Sequence, residues 1–236
     1  KVDDVAGFHA RFVGASHGEV ALVGDFDPAE VRPLLEELFG SWRAAAPYAR
    51  VPNPYRPTTR AEMRFDTPDK PNAIILGTIN AQIRDVDPDF AALAVAERIL
   101  GGGPEARVPA RLREKEGLSY SAGTFLQPGQ IDDLGSLGVY AIFPPQELQR
   151  VRKAFDEELA RAVDAGFTAE EVAHAKRALL EERRTNRAQD GALVAALVSQ
   201  SYLGRTFAES AKLDAAIDAV DVSAANAALR KHLPRD

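Results

Sequence analysis

Two side chains carry the strongest chemical suggestion in this sequence. Residues 101–120 read GGGPEARVPARLREKEGLSY. Three glycines and a proline open the stretch, and Val108 and Leu112 then mark the apolar side of a short helical run. Gly117 ends that run, because glycine accepts the left-handed backbone of a helix C-cap. Leu118 opens an expected strand over 118–126, with Leu118, Tyr120 and Ala122 on one face and Ser119, Ser121 and Gly123 on the other. Arg113 therefore lies on the last helical turn and Tyr120 on the following strand. They can converge across the corner, offering a permanent cation and a phenolic donor suited to a peptide carbonyl or a developing oxyanion. An ordinary role is also open to each: Arg113 can pair with Glu114 or Glu116 on the surface, and Tyr120 can be an aromatic at the edge of the core.

Other chemistries find less support. The chain has four histidines, His9, His17, His174 and His232, and no two are spaced as H-x-x-E-H requires. Glu171 and His174 make one E-x-x-H turn, half of a di-metal helix motif, and the second half is missing. The turn reads as a solvated helix face, and His9 and His232 read as structural. The glycines at 101–103 follow a helix and no Gly-Lys-Ser/Thr occurs, so neither a phosphate loop nor a dinucleotide fingerprint is present. Ser119 and Ser121 lack a G-x-S-x-G elbow. The run Glu181, Glu182, Arg183, Arg184 reads as a solvated helix face.

Composition narrows the class further. With 236 residues there is ample material for a core, and hydrophobic and charged contents of 45% and 27% are those of an ordinary globular protein. The net charge of −6, without a basic stretch, argues against nucleic acid as a partner. No apolar run approaches the ~20 residues of a membrane span. There is no cysteine, which excludes disulfides and thiolate metal sites and suits cytoplasm and periplasm alike. The first residue is Lys1 and the only methionine is Met63, so the sequence reads as a piece of a longer or processed chain.

The elements that must position Arg113 and Tyr120 follow from periodicity. A helix is expected over 2–13, a strand over 19–25 and a helix from Pro28 to Phe39, capped by Asp27. Residues 44–60 hold Pro47, Pro52, Pro54 and Pro57 and read as an extended linker. Strands are expected at 61–66 and 73–80, then a helix running into the glycines. The 118–126 strand should pair antiparallel with one at 135–143. Helices follow at 146–165, 168–187 (with a Thr168/Glu171 capping box), 190–203, 207–219 and 222–233. The fold class is α+β, a mainly antiparallel β-sheet with helices packed on one face. Residues 222–233 faintly echo the helical pattern of 2–13.

The run LGGG…RLREKEGLSYS resembles the C-terminal, non-catalytic half-domain of the pitrilysin/insulysin zinc peptidases, a family that includes the mitochondrial processing peptidases. Residues 8–41 also resemble that family's helix–strand–helix segment, and the likeness runs over nearly the whole chain. It implies that residues 1–43 are the tail of a preceding half-domain, 44–60 a linker and 61–236 the C-terminal half, lacking its last strand because the chain stops at Pro234, Arg235 and Asp236. The open sheet edge is then expected to be filled by strand 19–25 of the same or a neighbouring chain.

The resemblance further implies that Arg113 and Tyr120 contact substrate, with Gly101, Gly102 and Gly103 as weaker contact candidates. The zinc ion would belong to a catalytic half-domain or subunit carrying H-x-x-E-H, whose glutamate activates the metal-bound water. The present chain would bind no cofactor and cleave nothing alone. The same fold also serves as a non-proteolytic scaffold in respiratory-complex core subunits, which is the alternative.

Overall fold

The computed structural model describes residues 1–233. The chain forms two compact units, residues 53–183 with 209–236 in one and 1–52 with 184–208 in the other.

The larger unit is an α+β layer. Its sheet has three strands, β1 (Ala73–Gln82), β2 (Ser121–Gln127) and β3 (Leu134–Phe143), in the order β1-β3-β2 with both pairings antiparallel. One face is covered by helices. Leu137, Ala141 and Phe143 of β3 are buried there, against α3 (Phe90–Leu100), α5 (Leu148–Ala165), α6 (Ala169–Arg187) and α9 (Val222–His232). Val151 and Phe155 of α5 and Ala225, Ala228 and Leu229 of α9 supply the apolar stripe that a 3.6-residue period demands. The opposite face stays open. Ile74 and Leu76 project there with 71% and 66% exposure.

Local signals explain the joints. Gly117 has φ 61° and Gly166 has φ 75°, conformations that a side chain would strain. The capping box at the start of α6 forms: Thr168 N–H donates to Glu171 Oε2 at 2.8 Å, and Glu171 N–H to Thr168 Oγ1 at 3.2 Å.

Three expectations need correction. Residues 61–66 form no strand, although Met63 and Phe65 alternate as strand residues would, and both are largely exposed. Residues 19–25 form none either, because a strand requires a partner ladder and their backbone meets none. The segment from Leu118 to Tyr120 is not yet strand, and the expected faces fail there. Leu118 is buried and Tyr120 is 64% exposed. The cause is Ser119, itself buried, whose hydroxyl donates to the Ile142 carbonyl at 2.7 Å and accepts from Ser121 N–H at 3.2 Å. This local bonding competes with the ladder and resets the alternation before β2 begins. Residues 234–236, where the sequence is expected to stop short of a last strand, lie outside the described residues.

The smaller unit holds α1 (Val2–Phe12), α2 (Pro28–Phe39) and α7 (Asp190–Tyr202). Asp27 caps α2 by accepting from Ala29 N–H at 2.8 Å. Backbone bonds from Ala15 to Trp42 and from Ala46 to Arg11 tie the segments, and the rings of His17 and Tyr48 lie 4.3 Å apart. None of the three helices contains a buried residue.

Candidate functional site

The glycines of residues 101–103 end α3, whose C-terminal turn is bonded by Gly101 and Gly102 N–H to the Glu97 carbonyl. After them comes one α-helical turn, Arg107–Pro109, that widens into a π-helix over Ala110–Lys115. Val108 and Leu112 are almost wholly buried and anchor this helix to the sheet layer. Its wide turns close with Glu116 N–H on the Arg111 carbonyl, and Leu118 N–H then reaches the Leu112 carbonyl at 2.7 Å. Such π-turns are frequent at functional sites, since they re-aim a side chain by one extra residue.

Neighbouring charges hold the segment. Arg107 donates to both oxygens of Glu171, 2.7 Å from Nε and 2.7 Å from Nη2. Burial would raise the Glu171 carboxyl, yet the bonds from Arg107 and Thr168 outweigh it, and its pKa falls below the usual carboxylate value. Arg111 binds Glu116 at 2.8 Å and also Glu157, and these two carboxylates, Glu116 foremost, hold its guanidinium firmly charged.

Arg113 has a different situation. It is 62% exposed, and its Nε lies 3.3 Å from Glu114, a weak pairing in water. Tyr120 is likewise exposed. Both line one cavity of about 340 Å³, together with Gly101, Gly102, Gly103, Pro104 and Tyr140. Thus all five residues singled out in the sequence border the same space.

Behind its glycine wall sits Glu97. Its Oε1 accepts the Thr124 hydroxyl at 2.7 Å, joining the end of α3 to β2. Burial pushes the Glu97 pKa up, and the Thr124 bond only partly offsets this. A side chain at Gly101 would fall 2.3 Å from the Thr124 backbone nitrogen, so only glycine fits that approach.

Tyr140 is the residue that sequence reasoning missed. It lies in β3 opposite Gly123, and its ring leans across that glycine. The available signal was the pairing of a tyrosine in one strand with a glycine in its neighbour, which becomes visible only once the register is known.

A larger cavity of about 890 Å³ is bordered by Arg84, Asp87, Asp133, Lys231 and His232, among others. Arg84 pairs with Asp87 at 3.0 Å, and Asp133 accepts from Gln82 at 2.7 Å and from Tyr55 N–H at 2.9 Å. Lys231 and His232 both bind Asp89. Each of these charged groups thus already has a partner.

The residues present do not suit a resident zinc ion. Among the described residues no three His, Asp or Glu side chains gather as a metal requires. Glu171 is engaged by Arg107 and Thr168, and His174 faces Glu105 at 3.5 Å on the surface.

The family model described as the peptidase M16 inactive domain matches residues 1–179. This chain belongs to that family. An uncharacterized zinc protease of Streptomyces coelicolor is 28% identical over 179 residues, which cover 73% of this chain and 38% of that protein. One from Mycobacterium leprae is 30% identical over 180 residues, with the same coverages. The alignment thus spans well under half the length of the curated relatives. A peptidase M16 inactive domain from Pseudomonas fluorescens superposes with a TM-score of 0.74 at 21% identity, covering 100% of this chain and 55% of that one. The fold and the membership agree with the α+β reading and with the pitrilysin-type C-terminal half inferred from residues 101–121. Among the described residues, no helix is long and apolar enough to cross a membrane.

Proposed function

We propose that this chain is the substrate-contacting, non-catalytic half of a zinc-dependent endopeptidase. One observation supports this above others: Arg113, Tyr120 and the three glycines border a single cavity, with both functional side chains exposed to it. A carboxylate partner as exposed as Glu114 gives way readily to a substrate carbonyl. Arg113 then supplies fixed positive charge and Tyr120 a hydroxyl donor. Both groups orient an extended peptide and stabilise negative charge on its carbonyl oxygen.

A catalytic half bearing H-x-x-E-H is the partner in this reading, and the zinc ion is its own. In the same reading residues 1–43 are the tail of a preceding half-domain, 44–60 the linker and 61–236 the C-terminal half, and the catalytic half is on the same longer polypeptide or on another subunit. The exposed apolar side chains of residues 1–43 support the first assignment: Val5 at 70%, Phe8 at 63%, Leu34 at 57% and Leu38 at 67% have no core of their own.

The test is reconstitution. The chain alone should leave a fluorogenic peptide intact, and adding the H-x-x-E-H half should produce hydrolysis that neither part shows separately. An assembled complex that binds tightly and never cleaves would favour the non-proteolytic scaffold instead.

A further inference from the structure

The open face of the sheet contains a feature that the roles of Arg113 and Tyr120 do not use. β2 and β3 place Gly123 directly opposite Tyr140. A Cβ at position 123 would stand 3.1 Å from both Cε1 and the hydroxyl oxygen of Tyr140, and 2.7 Å from the Gly101 carbonyl oxygen. The missing side chain therefore leaves a slot, with a phenolic hydroxyl and a backbone carbonyl on its rim. Tyr140 and Gly101 both border the cavity that Arg113 and Tyr120 share. Among the described residues the Tyr140 hydroxyl has no hydrogen-bond partner.

We propose that Tyr140 is a third substrate-contacting side chain, forming with the Gly101 carbonyl a donor–acceptor pair for the backbone of an extended peptide. In an extended chain the N–H and C=O of one residue point to the same side. The N–H would donate to Gly101 and the C=O would accept from Tyr140. Such a pair reads main chain and ignores sequence, so it serves any extended substrate. Binding of this kind is made equally in the ground and transition states, so it acts on KM more than on kcat.

The inference rests on the endopeptidase reading, and the experiment separates the two. Tyr140→Phe keeps the ring across Gly123 and removes only the hydroxyl. In the assembled enzyme it should raise KM for a peptide substrate by about three- to tenfold, the range of one neutral hydrogen bond, with kcat and melting temperature unchanged. Arg113→Ala is measured beside it. An unaltered KM in Tyr140→Phe, with Arg113→Ala impaired, would overturn the role of Tyr140 alone. If both variants behaved as the native enzyme, the substrate-contacting roles of Arg113 and Tyr140 would both fall, and an assembled complex that cleaved no peptide would overturn the endopeptidase reading itself.

Discussion

Arg107 grips both carboxylate oxygens of Glu171, so the turn that enters the π-helix is fastened to the start of α6. The arginine is only 12% exposed and the glutamate 30%. Glu171→Ala leaves a nearly buried guanidinium without its carboxylate and removes half the capping box. It should lower the unfolding free energy by about 2–4 kcal/mol, in the range for breaking a partly buried pair. Urea unfolding of the two proteins at neutral pH reads the difference directly.

The same carboxylate gives an acid signature. Its pKa is lower folded than unfolded, so the unfolded state binds its proton first as pH falls. The stabilisation is complete above the unfolded value of about 4.3 and disappears as pH drops through the folded one. The native protein and Glu171→Gln should therefore converge in stability toward acid pH. A gap that stays constant from neutrality to acid would contradict the assignment.

Glu97 has the opposite sign. Burial raises its folded pKa, so the folded state holds the proton more tightly and stability declines as pH rises from the unfolded value through the folded one. Glu97→Gln keeps an acceptor for Thr124 and cannot ionise. Its stability relative to the native protein should increase across that interval, and carbon-13 titration of the Glu97 carboxyl should give a midpoint above that of exposed glutamates.

Gly138 provides a packing test away from the site. A Cβ there would come within 2.1 Å of Phe125 Cζ and 2.7 Å of the Gly77 carbonyl oxygen. The ring of Phe125 lies over the glycine across the β2–β3 pair. Gly138→Ala should cost about 1–3 kcal/mol through overpacking, measurable as a lower urea midpoint with an unchanged slope.

How much of this was legible in the sequence depends on the reach of the interaction involved. Gly117, the Asp27 cap and the Thr168/Glu171 box act over a few residues, and each forms where its residue types indicate. The apolar stripe of Val151 and Phe155 identifies α5 in the same way. Strands are harder, because they exist only through a partner. Residues 19–25 hold a continuous apolar run and 61–66 alternate, yet both stay unpaired, and Tyr120 is turned outward by a hydroxyl bond from Ser119 to a strand twenty-three residues on. At the candidate site, Arg113 and Tyr120 were visible from their spacing around a helix end. Tyr140 was not, since its place in the cavity depends on a register no local pattern specifies.

The apolar surface of the smaller unit leads to an expectation about assembly. Val20 and Leu22 are 57% and 42% exposed and their backbone makes no ladder. Amides from 20 to 23 should exchange rapidly with deuterium in the isolated chain and slow by at least tenfold once the catalytic half is bound. Equal rates in both states would remove the assignment of residues 1–43 to the preceding half.

The most direct measurement is kcat/KM of the reconstituted peptidase carrying Arg113→Ala or Tyr120→Phe, with zinc content determined on the same samples. Loss of one oxyanion donor of this kind typically costs ~10²–10³ in rate, so a fall of that order with unchanged zinc is the expected result. Full activity in both variants would contradict the assigned roles.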